Sequence, residues 1–589
     1  MAIYRSDQAV VTFGAEAALG GYIEGANGTT TDSVASGTVA TTAIAAGDTS
    51  FIINSIGSFA VNKYIQIGTK ATAASMKQCE IRRIVGVVGT TIYLDAPVGM
   101  DHAVGQEVKT VTTATDSDND KMITYIPGVY DTVTVPDMTP TIEPRYFLGT
   151  GAKRNFTAAY KGTQAYNGAV PSFILLNGWP LRFPLGKINS TITNVDSGST
   201  ISGAGGSGAV GAFKGDMMLV LASGSNFAAG DYIQIGATAD TYEVNRIITI
   251  STGRVQLATP LKADHAAGVA VVPMTGTGST SYFTHTIKET NELDSISMDV
   301  HMRDSGETAA NDFNRRFYGG KVGAASLSAE EGGLLVMGWD TIPFMGGVHN
   351  QKLDSNFSGS EAIPFHSFFQ TIESDNIGSR AAPAAADVAD LQYPTQDPYY
   401  FSQGTVSIFG QTFARVRNFA ININNNVEPR YYIERRGDTR NRGPSDIVEM
   451  RREYTMSATI ALPDSEAEDG TTATLFKELM LEGDYGLADG TAAGMKGFAI
   501  QLVFNKGAKL TGTEGTNIAS PDHKITIDIP TDGVIGGMDV AAATGLNNQG
   551  AFLTEAPHPV DGSNPLEVSA SLIFRNMGIT IVDNVGLYP

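Results

Sequence analysis

Residues 283–302, FTHTIKETNELDSISMDVHM, decide the class of fold. From Ser295 to His301 the residues alternate, with Ile296, Met298 and Val300 on one side and Ser297, Asp299 and His301 on the other. A period of two is that of a strand, whose successive side chains point to opposite faces. The expectation is a sheet with a core side and a wet side. KVGAASLSAEEGGLLVMGW at 321–339 continues the same texture, so Tyr282 to Ile342 reads as strands with a polar interruption.

Further strands are expected at Gly404–Phe409, Phe413–Asn422, Glu449–Leu462, Gly497–Phe504, Lys524–Ile529, Glu567–Phe574 and Gly578–Val582. Ala473–Glu482 would place Leu475, Phe476, Leu479 and Met480 on one helical face. AVPSFILLNGW at 169–179 suits a short buried helix or turn after Pro171. Strands with one helix laid across them make a unit dominated by antiparallel sheet. The Ala/Pro-rich stretch 380–398 reads as a linker or exposed loop between two halves.

Composition agrees with a mainly β protein. The chain has 589 residues, more than one domain at ~150 residues each. It has 66 Gly and 42% apolar residues, and its 17% charged residues fall below the ~25% usual in soluble domains. That balance suits short strands joined by many loops. The formal net charge of -21 disfavours a clamp or reader of nucleic acid, because acidic surfaces repel phosphates. A passive conduit for DNA stays open, since weak binding would help it. Cys79 is the single cysteine, so intramolecular disulfides and multi-cysteine zinc sites are out, and folding in a reducing cytoplasm fits. The opening MAIYRSDQAVVTFG does not read as a signal peptide. No apolar run of ~18 residues predicts a membrane helix.

The first half contains a duplication. Residues 47–108 and 215–272 match as two copies of one module. YIQIG occurs at Tyr64–Gly68 and again at Tyr232–Gly236, and DHAVG at 101–105 answers DHAAG at 264–268. One constant offset holds on each side of a single five-residue gap. Each copy reads as a small all-β unit with strands around Tyr64–Ile67, Ile81–Val88 and Thr91–Leu94. A shorter echo links the halves, with Glu143-Pro144-Arg145-Tyr146 recurring as Glu428-Pro429-Arg430-Tyr431.

Residues that could carry chemistry read as structural. The pairs Asp101-His102 and Asp264-His265 sit in Ala/Gly turns, where a turn-stabilising Asp accounts for them. TDSDNDK at 114–120 lacks the Gly and the spaced Glu of a calcium loop. His285 reads as a strand residue bonded in its sheet rather than a base. No nucleophile elbow, P-loop, zinc motif or dinucleotide fingerprint stands in a supporting context. No catalytic residue, cofactor or metal is expected. Arg435, Arg436, Arg440 and Arg442, with Glu434 and Asp438, form a cluster that serves either ring-to-ring salt bridges or a solvated loop.

Several stretches resemble the two-domain phage tail tube protein family, in which one chain carries two copies of the tube fold. They are TFGAEAALGG (12–21), VPSFILLNGWPLRFPLG (170–186), FTHTIKETNELDSISMDVHM (283–302) and FYGGKVGAASLSAEEGGLLVMGW (317–339). GTVSIFGQTFARVRNFAININNNVEPR (404–430) and GPSDIVEMRREYTMSATIAL (443–462) follow in the family's order. The resemblance implies two tandem tail-tube domains, each an antiparallel β sandwich or barrel plus a helix. On that reading the first domain spans 1–350, interrupted by β-barrel-like insertions at 40–112 and 205–275. Residues 351–398 are a linker and 399–589 the second domain. It further implies homotrimeric rings stacked into a tube that conducts DNA during ejection. The implied partners are the tape measure protein and viral DNA in the lumen, and tail terminator and distal tail or baseplate proteins at the ends, with no membrane. The place is the virion tail, assembled in the host cytoplasm. Another virion protein of capsid or baseplate, or a glycan-binding surface protein, are the alternative readings. A lumen that passes DNA should be neutral to acidic, and Asp299 and Asp528 are the candidates to face it.

Overall fold

The structure is a computed structural model. It describes residues 4–16, 32–33, 40–45, 48, 50–57, 59–60, 64–67, 80–94, 98, 102–111, 125–146, 158–201, 212, 214, 218–236, 241–251, 254–274, 282–304, 313–349, 397–408, 411–413, 416–432, 443–461, 499–509, 522–530, 534–535, 538–539, 550–555 and 567–588. The molecule is mainly β, and its sheets are antiparallel. Among the described residues no helix is long and apolar enough to cross a membrane.

The largest sheet has eight strands. In chain order they are β1 (Val129–Arg145), β2 (Ala158–Ile174), β3 (Ala324–Glu330), β4 (Val336–Phe344), β5 (Val416–Asn424), β6 (Glu453–Ala461), β7 (Ala551–Glu555) and β8 (Glu567–Phe574). Their order across the sheet is β1-β2-β4-β3-β5-β6-β8-β7. The first half of the chain supplies a block ordered 1-2-4-3, and the second half supplies 5-6-8-7, the same pattern shifted by four. The blocks meet where β3 pairs β5, with Ala325 opposite Ile423 and Leu327 opposite Ile421.

These strands form because apolar residues recur at every second position. Phe419, Ile421 and Ile423 of β5 are buried, as are Tyr454, Met456 and Ala458 of β6 and Ala570, Leu572 and Phe574 of β8. The intervening residues face outward. The buried face packs on a seven-stranded sheet whose order is Gly186–Ile192, Phe283–Glu289, Gly578–Asp583, Asp522–Ile529, Ile500–Lys509, Gly404–Ile408 and Gln411–Phe413. Phe419 and Phe504 meet across the layers, ring centroids 5.6 Å apart. Both halves contribute to this sheet too. Thr286 of the first half and Thr526 of the second both lie opposite Thr580.

Trp339 on β4 is the hub of the first half's core. Phe13, Phe173, Trp179 and Phe183 surround its ring at 5.0, 5.6, 6.0 and 6.0 Å, all edge-on. Two expectations change here. Residues 169–174 are the end of β2, not a helix, because Val170 pairs with Trp339 and Phe173 with Met337. The helical turn comes later, as Trp179–Leu181 and Arg182–Leu185, once the chain has passed Gly178. The wet side expected at Ser295–His301 is also absent where the structure describes it. Ile296–Asp304 lies inside a four-stranded sheet between Tyr4–Ala15 and Phe313–Gly320, and both faces are enclosed, with Ser297 and Asp299 at 0% exposure. The helix expected at 473–482 and nearly all of the 351–398 linker lie outside the described residues.

Two six-stranded sheets complete the fold. One runs Asp32–Ser33, Val108–Val111, Tyr64–Ile67, Glu80–Val88, Thr91–Leu94, Ser50–Ile52. The other runs Ser199–Thr200, Ala270–Pro273, Tyr232–Ile235, Glu243–Ser251, Arg254–Leu257, Met218–Val220. The orders correspond strand for strand, and so do registers: Ile65 faces Arg82, and Ile233 faces Asn245. Gly105 and Gly268, which end the matching DHAVG and DHAAG strings, share a φ of +84°. A side chain there would be strained, so both turns depend on glycine. Each sheet has its own apolar cluster, around Ile65 and Ile92 in one and Ile233 and Val255 in the other. The second sheet also docks on the main body, where Tyr232 meets Phe283 edge-on at 5.2 Å and Gln234 accepts from the Ile192 N–H at 2.8 Å.

Candidate assembly surfaces

The two copies of Glu-Pro-Arg-Tyr mark two arms. β1 and β2 are each 17 residues long and pair into the first. At ~3.3 Å per residue such a ribbon is over 50 Å long. In the second, Glu428–Arg430 pairs with Asp446–Val448 just beyond β5 and before β6. Both tips carry the same ion pair two residues apart on one strand face: Arg145 to Glu143 at 2.5 Å and Arg430 to Glu428 at 2.7 Å. Tyr146, Tyr160, Tyr431 and Tyr432 are exposed beside them, with Ile142. These exposed side chains gather where the described strands of the two arms end, and the Tyr431 hydroxyl donates to the Gln164 carbonyl of the first arm at 3.0 Å.

The eight-stranded sheet offers two more surfaces. Its outermost strands, β1 and β7, each have one edge with no strand beside it among the described residues. β1 carries Pro136, Pro140 and Pro144, which interrupt a ladder, so continuous pairing is open only along Val129–Val135. The five residues of β7 fit within that seven-residue stretch. The outward face of the sheet is mostly polar, with Ile573 exposed on it and the acidic Glu330, Glu453 and Glu567 towards its margins. Ser326, Asn422 and Thr455 lie in one cross-strand row, and Ser328, Ala420, Ser457 and Ser571 in the next. Charges collect at the margin, where Arg417 bonds Glu567 at 3.0 Å and Glu331 at 3.2 Å. Asp340 also faces this side, its carboxyl pushed up by burial although Ser326 Oγ approaches it at 3.4 Å.

The profile of the phage tail tube protein family matches residues 8–544. The chain belongs to that family. Its role is therefore that of a structural protein of phage tail tubes, and its place the virion tail. No curated protein matches the chain.

Among the described residues of this tail tube chain, a Ser-His-Asp cluster that looks catalytic is a latch. Ser190 Oγ lies 2.7 Å from His285 Nδ1, and His285 Nε2 lies 2.7 Å from the Val585 carbonyl and 3.4 Å from Asp583. A hydrolase would need that serine at a surface. Here Ser190 is 1% exposed and His285 and Asp583 are 0% exposed, so a substrate has no path to the hydroxyl. Tyr588 closes the cluster, stacking on His285 at 3.7 Å, donating to Asp583 at 2.5 Å and accepting from the Gly178 N–H at 3.0 Å. Burial alone would raise the Asp583 pKa, but the bonds and charge of His285 hold it below the usual carboxylate range. Lys262 of the second small sheet donates to the Tyr588 carbonyl, and burial brings its pKa down to about 7. The latch thus ties both halves and a small sheet together.

His523 lies beside the latch, edge-on to Tyr399 at 6.0 Å. Burial, then the charge of Lys506, lowers its pKa from 6.5 to about 4. Folded His523 stays neutral where the unfolded chain takes up a proton. Its contribution is whole above pH 6.5 and is lost as pH falls towards 4, a cost of about 3 kcal/mol. Unfolding midpoints between pH 7 and 4.5 should fall less steeply for His523→Gln than for wild type. Parallel slopes would refute the assignment.

The residues nominated from sequence fall in different places. Asp299, enclosed within the chain, has no surface with which to line a lumen. Asp528 is half-buried on the outward side of the seven-stranded sheet, accepting from Gln501 at 2.7 Å. Arg435, Arg436, Arg440 and Arg442 lie outside the described residues, in the segment that joins the two strands of the second arm's tip. Of the Asp-His pairs, the histidine is the anchor in the second: His265 is buried and lies 2.5 Å from Glu243. The polar face and the latch were not read from sequence. The latch's signal was Asp583 and Tyr588 set among Ile579, Ile581, Val582, Val585 and Leu587.

Proposed function

We propose that three chains close into a ring of six tube units, and that stacked rings form the conduit for DNA. The observation that carries this is the order 1-2-4-3 followed by 5-6-8-7. Two units joined head to tail present a free β7 at one end and a free β1 at the other, which is a heterologous contact that closes only as a ring. The strands alternate in direction along the sheet, so β7 of one chain would meet β1 of the next antiparallel, as β3 meets β5. Closure also removes two exposed sheet edges.

In such a ring the eight-stranded sheet forms the inner wall, with its Ser, Thr and Asn face towards the DNA. Each Lys or Arg facing phosphate would add affinity through counterion release. A wall of hydroxyls and amides lets the duplex slide. Asp528, on the other layer, then faces outward. The two six-stranded sheets are copies of one inserted module. The second interrupts the seven-stranded layer between Gly186–Ile192 and Phe283–Glu289, which puts it outside the tube. Tape measure protein occupies the lumen before DNA, and terminator and distal tail proteins cap the stack.

Native mass spectrometry of the purified chain should give species at multiples of three times the 62.0 kDa chain mass. Species whose chain number is not a multiple of three, or a monomer that persists at high concentration, would refute the proposal.

A further inference from the structure

The seven-stranded sheet ends in two strands of unequal length. At one end Gln411–Phe413 has three residues, and at the other Gly186–Ile192 has seven. A very short edge offers a second chain little to pair with, whereas a long one is a template for strand addition. In an antiparallel pair, residues alternate between pointing their N–H and C=O at the neighbour and pointing them away. Thr193 donates to the Tyr282 carbonyl at 3.1 Å, so Ile192 and Ser190 point theirs out of the sheet.

Both outward donors are taken by the second six-stranded sheet. The Ser190 N–H donates to the Tyr242 carbonyl at 3.0 Å, and the Ile192 N–H to Gln234 Oε1 at 2.8 Å. One partner is a backbone carbonyl just before Glu243–Ser251 and the other is a side chain. The edge is thus closed without a further strand in its sheet. The cover is fastened around this contact. Tyr232 packs edge-on to Phe283, Lys214 and Arg182 meet on Asp294 at 2.7 and 2.6 Å, and Lys262 donates to the Tyr588 carbonyl. The first copy of the module keeps the tyrosine and the glutamine, as Tyr64 and Gln66. It has Ala46 and Gly99 where the second has Lys214 and Lys262, so both tethering lysines belong to the copy that sits on a long edge.

We infer that the second module is an edge guard. By occupying the outward donors of Gly186–Ile192 it keeps the strands of a second copy of the chain from adding to the seven-stranded sheet. The inference goes beyond the ring reading and holds for any number of chains, because it concerns an edge that must stay unpaired. With the module lifted, that edge would join chains sideways into irregular aggregates.

The test uses the full-length chain in three forms. They are wild type, a triple variant with Lys214→Ala, Gln234→Ala and Lys262→Ala, and the triple variant with Ile192→Pro added. Hydrogen exchange reads the Ser190 and Ile192 amides, and sedimentation reads irregular aggregates. In the triple variant both amides should exchange about tenfold faster, the effect of one lost hydrogen bond. Its aggregated fraction should rise about tenfold at matched concentration. Ile192→Pro removes an outward donor and no ladder bond, so it should return aggregation to the wild-type level. Aggregation that came from unfolding would instead grow when the proline is added. The guard would be overturned by amides as protected as in wild type, by a freed edge with no added aggregation, or by aggregation that the proline does not reverse.

Discussion

Tyr588→Ala is expected to destabilise the folded chain by about 3–5 kcal/mol, the range for removing a large aromatic from a core. The side chain is fully buried, and three groups depend on it. Its ring covers His285 at 3.7 Å, its hydroxyl holds the Asp583 carboxylate, and its oxygen receives the Gly178 N–H. The variant leaves a cavity, an N–H and a carboxylate without those partners. Tyr588→Phe keeps the ring and removes only the bonds, so about 1–3 kcal/mol is expected. Gly178→Ala attacks the same contact from the opposite side. A Cβ at that position would lie 2.0 Å from Ile581 Cδ1 and 3.2 Å from the Tyr588 hydroxyl. Denaturant midpoints should rank the proteins wild type, Tyr588→Phe, Tyr588→Ala. A Tyr588→Ala midpoint equal to that of wild type would show that the cluster is not a latch.

Trp339→Ala should cost a similar ~3–5 kcal/mol. Four aromatic rings converge on Trp339 from three segments: Phe13 on Tyr4–Ala15, Phe173 on β2, and Trp179 and Phe183 in the helical turn at Trp179–Leu185. Edge-to-face aromatic pairs contribute beyond their buried area, and here several are lost at once. Trp339→Phe retains an aromatic ring and should recover part of the loss. Protease susceptibility of the first half, read by limited digestion, should rise with Trp339→Ala while β5, β6 and β8 stay protected. Uniform protection across the chain would contradict a hub role for this residue.

The strands were legible because their pattern is local. Phe419, Ile421 and Ile423 alternate with polar residues, and β8 has the bounds that alternation gives, Glu567–Phe574. The duplicated YIQIG strings likewise fall on strands with the same pairing. Three features were not legible. Alternation at Ser295–His301 separates two faces but cannot say what covers each, and both Ser297 and Asp299 proved enclosed. The apolar run from 169 suits a buried helix or a buried strand equally, and pairing with β4 decides for strand up to Ile174. The head-to-tail order depends on β3 meeting β5, partners far apart in sequence that no local signal joins. The EPRY echo was visible, and the structure puts an Arg–Glu ion pair at both copies, Arg145 to Glu143 and Arg430 to Glu428.

The central claim, two tube units per chain in a closed ring, is tested most directly by electron microscopy of assembled particles viewed down the ring axis. The account predicts six similar lobes around a central hole with true threefold symmetry. Alternate lobes should differ, because both six-stranded sheets are built from the first half of each chain. Six identical lobes, or particles with no central hole, would contradict it.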